Sequence, residues 1–365
     1  MKVISIAGAL LFFQPLDAQY NWGELDRELA AKQQLLGNNV VALVWKDDSL
    51  VYKKEMGGFN SSTQAPVASC SKWLTTALVM QFADEGKLAL DDKVSNYIPA
   101  FEKGTGNKIT LRQCLSHTTG ISDDDKFIRR ILERRKFNSL EEEVNDFAKR
   151  EPRSAPGTDF WYGNVGLNIA GRVLEVISKQ DFETLIQAKL FGPLEMHNST
   201  FISKKDKSPV NPSGGAQSTA DDYMKFLVML LNKGNWKGKQ VLSENAVRQM
   251  RLVQNATLPT RYAPKSAEGY KYALGSWAAE SATAIYFPGK LGGSNPPAPA
   301  NEPYEKNPVA TVLASPGLFG TWPMIDYCRG YAYIVFVKNL LGEERANAHE
   351  AIKKIIDKQI KNSCQ

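Results

Sequence analysis

The chain has 365 residues, of which 43% are hydrophobic and 23% charged, with 27 glycines and 18 prolines. This composition is typical of a globular protein with a sizeable core, and it excludes a collagen-like, low-complexity or disordered chain. The 45 Lys and Arg exceed the 39 Asp and Glu by only six. They form no extended basic patch, so the charge pattern predicts no nucleic-acid partner, because phosphate binding needs clustered cations.

The first residues have the pattern of an export signal. Met1-Lys2 gives a positive start, Val3–Phe13 is apolar, and cleavage is expected after Ala18. The apolar run is too short to span a bilayer, and a buried N-terminal strand is the alternative interpretation. We expect a signal peptide over residues 1–18, no stable membrane insertion, and a periplasmic or secreted protein.

Hydrophobic periodicity predicts helices and strands along the rest of the chain. The predicted helices are Tyr20–Leu36, Ser69–Phe82, Leu111–His117, Phe127–Phe137, Ser139–Lys149, Val165–Ser178, Phe182–Leu190, Ala220–Leu231, Glu244–Leu252 and Glu343–Ile360. The predicted strands are Val40–Lys46, Leu50–Lys54, Tyr270–Trp277, Val309–Ala314, Gly320–Ile325 and Gly330–Val337. Strand patterns therefore lie towards both ends of the chain, with mostly helical patterns between them.

This order predicts an α/β (α+β) fold in which an antiparallel sheet is flanked by helices and a mostly helical lobe is inserted. We expect one domain over 19–365. Its sheet lobe covers about 19–95 and 215–365, and its helical lobe covers about 96–214. The Pro-rich stretch Pro288–Pro308 is predicted to be a long surface loop.

The four cysteines show no C-x-x-C pair and no histidine at metal-ligand spacing, so we predict no metal site. Cys70 and Cys114 lie in apolar helical sequence and are expected to be buried thiols. Cys364 lies beside the C-terminus, and the sequence leaves its partner and all disulfide pairing open.

Ser69-Cys70-Ser71-Lys72 is the only place in the chain where a serine is followed three residues later by a lysine. On a helix these two side chains share a face. A serine hydroxyl needs a base to become a nucleophile, and a lysine is such a base only when its surroundings lower its pKa. The alternative is a serine helix cap with a solvent-facing lysine.

Tyr162-Gly163-Asn164 is the only Y-x-N in the chain. A phenol beside a cationic lysine can act as a phenolate or a proton relay, and an asparagine offers both a donor and an acceptor. The alternative is a buried tyrosine followed by a helix-capping asparagine. His117, in the sequence Leu115–Gly120, is predicted to be structural at a helix end that a glycine closes.

With these two motifs, a series of further segments resembles the serine β-lactamase-like family, which includes class C β-lactamases, DD-peptidases and esterases of the same fold. Ile109–Gly120 is similar to the family stretch ITIRHLLTHTSG, and Gly214–Tyr223 is similar to AGGL.STA.DY. The other resembling segments are Ser69–Lys72, Pro156–Gly171, Pro193–Met196 and Tyr272–Trp277. They follow the family order over about residues 40–340, and the resemblance implies a β-lactamase/transpeptidase-like fold.

The resemblance also implies roles for individual residues. Ser69 would be the acylated nucleophile and Lys72 its general base or proton shuttle. Tyr162 would be the partner base for the leaving group and for deacylation, and Asn164 would orient the substrate. The Ser69 N–H and one from the facing strand would form the oxyanion hole. The implied reaction is two-step acyl transfer to water without metal or cofactor.

The third family motif departs from the family pattern. Where relatives carry K-T-G or H-x-G, this chain has Ser315-Pro316-Gly317 followed by Leu318, and no Lys or His lies between Val309 and Thr321. We expect Ser315, Gly317 and Leu318 to contact substrate. The family cation holds a substrate carboxylate, so its absence favours neutral or weakly polar acyl substrates.

Three hypotheses follow for the function. The first is an exported serine hydrolase of carboxylesterase type acting on a small-molecule ester, amide or β-lactam. The second is a β-lactamase, D-Ala-D-Ala carboxypeptidase or D-aminopeptidase acting on cell-wall peptides. The third is a non-catalytic binding protein on the same fold. The sequence leaves the oligomeric state open.

Overall fold

A seven-stranded antiparallel sheet, built from both ends of the sequence, organises the described part of the chain. The computed structural model describes residues 20–122, 137–203, 209–282, 307–340 and 343–364. Its strands are β1 (Val40–Lys46), β2 (Ser49–Met56), β3 (Ala65–Pro66), β4 (Phe160–Trp161), β5 (Gln217–Ser218), β6 (Asn235–Trp236), β7 (Lys239–Gln240), β8 (Thr260–Tyr262), β9 (Lys271–Tyr272), β10 (Trp277–Ala282), β11 (Val309–Ala314), β12 (Trp322–Asp326) and β13 (Tyr331–Val337). The strand order in the large sheet is β2-β1-β13-β12-β11-β10-β9.

Helices cover both faces of this sheet. The α-helices are α1 (Gly23–Lys32), α2 (Ser71–Asp84), α3 (Leu111–Leu115), α4 (Leu140–Phe147), α5 (Val165–Ser178), α6 (Phe182–Ile186), α7 (Ala220–Leu231), α8 (Glu244–Arg251) and α9 (Glu343–Gln359). Short 3₁₀ helices lie at Ala68–Cys70, Val94–Asn96, Pro99–Phe101, Gly104–Lys108 and Lys265–Ala267, and a π-helical turn at Gln187–Phe191 follows α6. Mixed helix and antiparallel sheet is the predicted fold class, which is confirmed.

The two faces of the sheet bury alternate residues of the same strands. In β13, Tyr331, Tyr333, Val335 and Val337 pack in the layer under the terminal helices α1 and α9. The intervening Ala332, Ile334 and Phe336 pack in the larger core that includes α2 and α7. Successive side chains of a strand point to opposite faces, so a strand covered on both sides is apolar throughout.

The predicted strand Tyr270–Trp277 is wrong as a single element. The structure divides it into β9 and β10, which pair antiparallel with Trp277 opposite Tyr272. Between them Gly275 has φ +71, and a Cβ there would lie 2.0 Å from Thr76 Oγ1. A tight turn against α2 therefore replaces a continuous strand, and it places Tyr272 and Trp277 side by side.

Several expectations fall outside the described residues. These are the signal peptide over 1–18, nearly all of the helix Phe127–Phe137, and most of the loop Pro288–Pro308. The division into a sheet lobe and a helical lobe stays a prediction. Within the described ranges, no helix combines the length and apolar character that crossing a membrane requires.

The cysteines divide into one disulfide and two thiols. Cys328 is bonded to Cys364, which ties the C-terminal segment beyond α9 to the turn between β12 and β13. Cys70 and Cys114 are free and buried, as predicted. Burial raises the pKa of both thiols far above the ordinary value.

Candidate active site

Ser69 lies in a 3₁₀ turn that leads directly into α2. The turn spans Ala68–Cys70 and the regular helix begins at Ser71, so the predicted helix start is close to the observed one. Ala68 has φ +49, a left-handed conformation that is rare for a residue with a Cβ. Such backbone strain persists only where surrounding contacts hold it, and here it presents a partly exposed Ser69 at the start of α2.

Lys72 points inward and is only 1% exposed, so the alternative of a solvent-facing lysine is wrong. Its Nζ donates hydrogen bonds to Ser69 Oγ at 3.2 Å, to Asn164 Oδ1 at 3.2 Å and to the Ser213 carbonyl at 2.8 Å. Two of these partners are carbonyl oxygens, which only accept. The third is a hydroxyl, which can also donate, so a neutral amine can accept the Ser69 proton in the same arrangement.

Asn164 occupies the N-cap position of α5, but its side chain makes no capping hydrogen bond. Its amide oxygen accepts from Lys72 instead. The alternative of an asparagine used for capping is therefore wrong, and the Y-x-N motif meets the S-x-x-K motif through this contact.

Tyr162 packs its ring beside the amine, with Lys72 Nζ 5.0 Å from the ring centroid. Burial raises the pKa of the phenol above its ordinary value of 10, and a hydrogen bond with the Ser69 side chain acts in the opposite direction without reversing the shift. Tyr162 is therefore a neutral phenol near neutral pH, which fits a proton relay and not a resident phenolate.

An aromatic cluster holds Tyr162 on its other sides. The ring centroids of Trp277 and His117 lie 4.9 Å and 4.7 Å from that of Tyr162, and that of Tyr272 lies 5.9 Å away. The sequence predicts a structural role for His117 at a helix end, but not its contact with Tyr162. Its place in the family-like stretch Ile109–Gly120 was the available signal.

The third motif forms the connection between β11 and β12, next to the nucleophile turn. Ser315 is 3% exposed, and its Oγ donates to the Ser69 carbonyl at 3.5 Å. Gly317 packs so closely that a Cβ there would lie 2.2 Å from the Val67 carbonyl oxygen. Leu318 follows as a partly exposed residue. The structure thus brings Ser315 and Gly317 to the nucleophile turn, and Leu318 follows them in the chain.

The backbone N–H groups of the two segments beside Ser69 differ in whether a carbonyl accepts from them. Gly317 N donates to the Thr321 carbonyl at 2.9 Å. Within the described ranges, the N–H groups of Ser69 and Leu318 donate to no backbone carbonyl. The first N–H groups of a helix lack partners inside it, which applies to Ser69 at the start of α2. An oxyanion bound by two backbone N–H groups needs no side chain.

The charge around the third motif differs from the family pattern. Among the described residues, no Arg or Lys side chain hydrogen-bonds to Ser315, Gly317 or Leu318. Among the residues that the structure describes, no cluster of His, Cys, Asp and Glu could hold a metal ion. An anionic substrate would need a cation from another segment, for instance from the loop around Lys290, which lies outside the described ranges.

A buried chain of polar residues supports Lys72 on the side away from Ser69, and no sequence motif predicts it. Ser213 N donates to Asn168 Oδ1 at 3.0 Å, and Asn168 Nδ2 donates to Glu143 Oε2 at 3.1 Å. Glu143 and Asn168 are both buried. These contacts fix the Ser213 segment whose carbonyl accepts from Lys72.

Comparison with known proteins decides the family. The family model described as Beta-lactamase matches residues 24–356. The chain belongs to the Beta-lactamase family. Its members are generally serine hydrolases, which agrees with the resemblance seen in the sequence.

Individual relatives show how far the likeness extends. Protein flp of Staphylococcus aureus is 29% identical over 150 residues, which are 40% of this chain and only 30% of that protein. A candidate β-lactamase from Bacteroides dorei has a TM-score of 0.77 at 25% identity, covering 95% of this chain and all of that one. EstCE1, a hydrolase with promiscuous acyltransferase activity, has a TM-score of 0.67 at 16% identity, covering 92% of this chain and all of EstCE1. The match to EstCE1, at 16% identity, supports the fold alone.

Proposed function

We propose that this Beta-lactamase-family chain is a serine hydrolase that forms an acyl-enzyme on Ser69. The observation that carries the proposal is the 3.2 Å contact between Ser69 Oγ and the buried Nζ of Lys72. In the acylation step Ser69 Oγ attacks the substrate carbonyl, and neutral Lys72 takes the hydroxyl proton. The N–H groups of Ser69 and Leu318 bind the oxygen that becomes negative.

Tyr162 completes the proton path. When the tetrahedral intermediate collapses, the bond from the carbonyl carbon to the leaving oxygen breaks, and Tyr162 gives that oxygen its proton and regains one from Lys72. In deacylation a water attacks the acyl carbon, and its proton passes through Tyr162 and Lys72 to Ser69 Oγ. The bond between the acyl carbon and Ser69 Oγ breaks in this step, which releases the carboxylic acid and restores the free serine. The raised pKa of Tyr162 supports this relay, because the phenol starts each cycle protonated.

The proposed substrates are carboxylic esters without a carboxylate beside the scissile bond. Ser315 stands in the family cation position and offers a hydroxyl. Ala314 before it pairs with Trp277, whose ring packs against that of Tyr162. A free carboxylate placed there would lose hydration without gaining an ion pair. Uncharged acyl groups of modest size avoid that cost.

A β-lactamase or D-Ala-directed peptidase is the second candidate. The candidate β-lactamase from Bacteroides dorei matches nearly the whole chain, which favours it. A binding protein without turnover is less well supported, because Ser69, Lys72, Tyr162 and Asn164 keep the contacts that acyl transfer needs.

We also propose that the protein is exported. The apolar stretch after Met1-Lys2 has the pattern of a signal peptide. The disulfide between Cys328 and Cys364 is the kind of bond that persists in oxidising compartments. Both observations favour the periplasm or the outside of the cell.

The test compares kcat/KM for a p-nitrophenyl ester, a penicillin and a peptide ending in D-Ala-D-Ala, using wild type, Ser69→Ala and the exposed control Ser62→Ala. Turnover of the ester that Ser69→Ala abolishes and Ser62→Ala keeps supports the esterase proposal. Faster penicillin or peptide turnover at Ser69 favours the second candidate. Equal rates in wild type and Ser69→Ala contradict the hydrolase assignment.

A further inference from the structure

His117 is a buried histidine beside Tyr162 to which the proposed reaction gives no step. It is 4% exposed and follows α3 with φ +58. Its carbonyl accepts a 3.0 Å hydrogen bond from the N–H of Trp161, the residue immediately before Tyr162. The backbone of His117 therefore anchors β4 where β4 delivers the phenol.

The imidazole makes a second, independent attachment. His117 Nε2 lies 3.1 Å from the hydroxyl of Tyr272, a hydrogen-bond distance between two buried side chains. The two ring centroids are 4.8 Å apart. Tyr272 is itself fixed, because its N–H donates to Asn255 Oδ1 at 2.7 Å.

The protonation states make this pair uncharged. Burial, and secondarily the charge of Lys72, hold the pKa of His117 well below 6.5. Burial holds the pKa of Tyr272 well above 10. A neutral imidazole and a phenol can share one hydrogen bond without placing a cation close to Lys72.

We infer that His117 and Tyr272 are positioning residues, whose hydrogen-bonded pair holds the Tyr162 ring against Lys72 and its hydroxyl on Ser69. The inference rests on the proposed function, because acyl transfer at Ser69 is the rate that the place of Tyr162 controls. Two features of one residue thus act on Tyr162: the His117 backbone through Trp161, and the His117 ring through direct contact.

Two substitutions separate these features. In His117→Gln the side-chain amide reaches the place of Nε2, so contact with the Tyr272 hydroxyl is kept. In His117→Asn the amide reaches only the place of Nδ1, although asparagine suits the left-handed backbone better. The positioning role predicts that Gln retains more activity than Asn, whereas a purely backbone role predicts the reverse.

Tyr272→Phe supplies a variant that keeps the ring and loses only the hydroxyl. Since a misplacement of about 1 Å can cost about 100-fold in rate, we expect His117→Asn and Tyr272→Phe to lower kcat for a p-nitrophenyl ester about 10- to 100-fold, with KM much less affected. The double variant should be no slower than the slower single one, because both remove the same hydrogen bond. His197→Asn, the same change at an exposed histidine, should leave kcat unchanged.

The outcomes distinguish the inference from the function on which it rests. If Ser69→Ala removes turnover but Tyr272→Phe retains the wild-type kcat, the positioning role is wrong and the hydrolase proposal stands. Asn retaining more activity than Gln at position 117 also overturns the positioning role. If wild type and Ser69→Ala react alike, the proposed function fails first. Should the His117 variants unfold, as thermal melting would show, Tyr272→Phe decides alone.

Discussion

The Ser213 carbonyl accepts a 2.8 Å hydrogen bond from Lys72 Nζ, which joins residues 141 positions apart in the sequence. Ser213 in turn is tied through its N–H to Asn168, and Asn168 to Glu143. A flexible lysine has many rotamers, so a fixed acceptor on the far side keeps Nζ directed at Ser69. The placement of the proposed base therefore depends on residues outside both sequence motifs.

Asn168→Leu tests this dependence. The change leaves the buried Ser213 N–H without its acceptor and removes a hydrogen-bond donor to Glu143, at an expected cost of about 1–3 kcal/mol in the free energy of unfolding. We also expect ester turnover to fall about tenfold or more, because the Ser213 carbonyl loses its support. Urea unfolding and kcat are measured on the same preparation, with the exposed Asn245→Leu as control. Wild-type kcat in a folded Asn168→Leu would contradict the dependence.

Gly317→Ala tests the contact between the third motif and the nucleophile turn. A Cβ there would lie 2.2 Å from the Val67 carbonyl oxygen and 3.0 Å from Cys70 Sγ. The β11–β12 connection must therefore move away from Ser69, and the Leu318 N–H moves with it. Since loss of one oxyanion donor costs about 100- to 1,000-fold in kcat, we expect a loss approaching that range. Gly58→Ala, at an exposed glycine with only a side-chain contact at 3.3 Å, should keep activity, and an active Gly317→Ala would refute this geometry.

Because His349 is buried, we expect the free energy of unfolding to depend on pH. The histidine is buried on α9 with its ring centroid 4.7 Å from that of Trp322, and burial lowers its pKa to about 3. The unfolded chain binds a proton on this residue below about pH 6.5, but the folded chain does not until about pH 3. Stability is therefore lost as the pH falls through this window, by up to about 1.4 kcal/mol per pH unit from this group.

His349→Phe keeps the aromatic ring and removes the titration. As the pH falls from 6 to 4, the free energy of unfolding should decrease less steeply in this variant than in wild type. The difference between the two slopes should correspond to close to one bound proton. Chemical denaturation at several pH values measures both slopes. Identical slopes would show that His349 titrates in the folded protein much as it does in the unfolded chain.

The disulfide predicts a gain in stability that is separate from catalysis. Cys328 and Cys364 are 36 positions apart, and closing a loop of that size stabilises a protein by about 4 kcal/mol in the chain-entropy treatment. Cys364→Ser, or reduction of the wild type, should lower the unfolding free energy by up to that amount while kcat stays within twofold. The reductant should have no effect on Cys364→Ser. A large fall in kcat at a temperature where the variant remains folded would show that the C-terminal segment contributes to catalysis.

The sequence predicted the elements that follow regular periodicity. Val40–Lys46, Val165–Ser178, Ala220–Leu231 and Val309–Ala314 have the predicted bounds, because each buries a regular set of apolar side chains. The division between β9 and β10 was missed, since the turn at Gly275 depends on close approach to Thr76. That contact lies some 200 residues away along the chain and has no local pattern.

At the site, the residues whose side chains take part in the proposed chemistry could be predicted from the sequence. Ser69, Lys72 and Tyr162 stand in short motifs, and the structure brings them together with Asn164. The Ser213 carbonyl could not be predicted in this way, because every residue has a carbonyl and only the fold determines which one accepts from Lys72. Cysteine spacing likewise left the disulfide open, since spacing alone does not determine connectivity.

Intact-mass spectrometry after reaction with a fluorophosphonate shows whether Ser69 is the residue that reacts covalently. We expect one adduct per wild-type chain, located by peptide mapping on Ser69, and no adduct on Ser69→Ala under the same conditions. Lys72→Met should slow the labelling strongly, while the exposed control Lys87→Met should label like wild type. An unlabelled wild type, or a Ser69→Ala variant labelled as fast as wild type, would contradict the account.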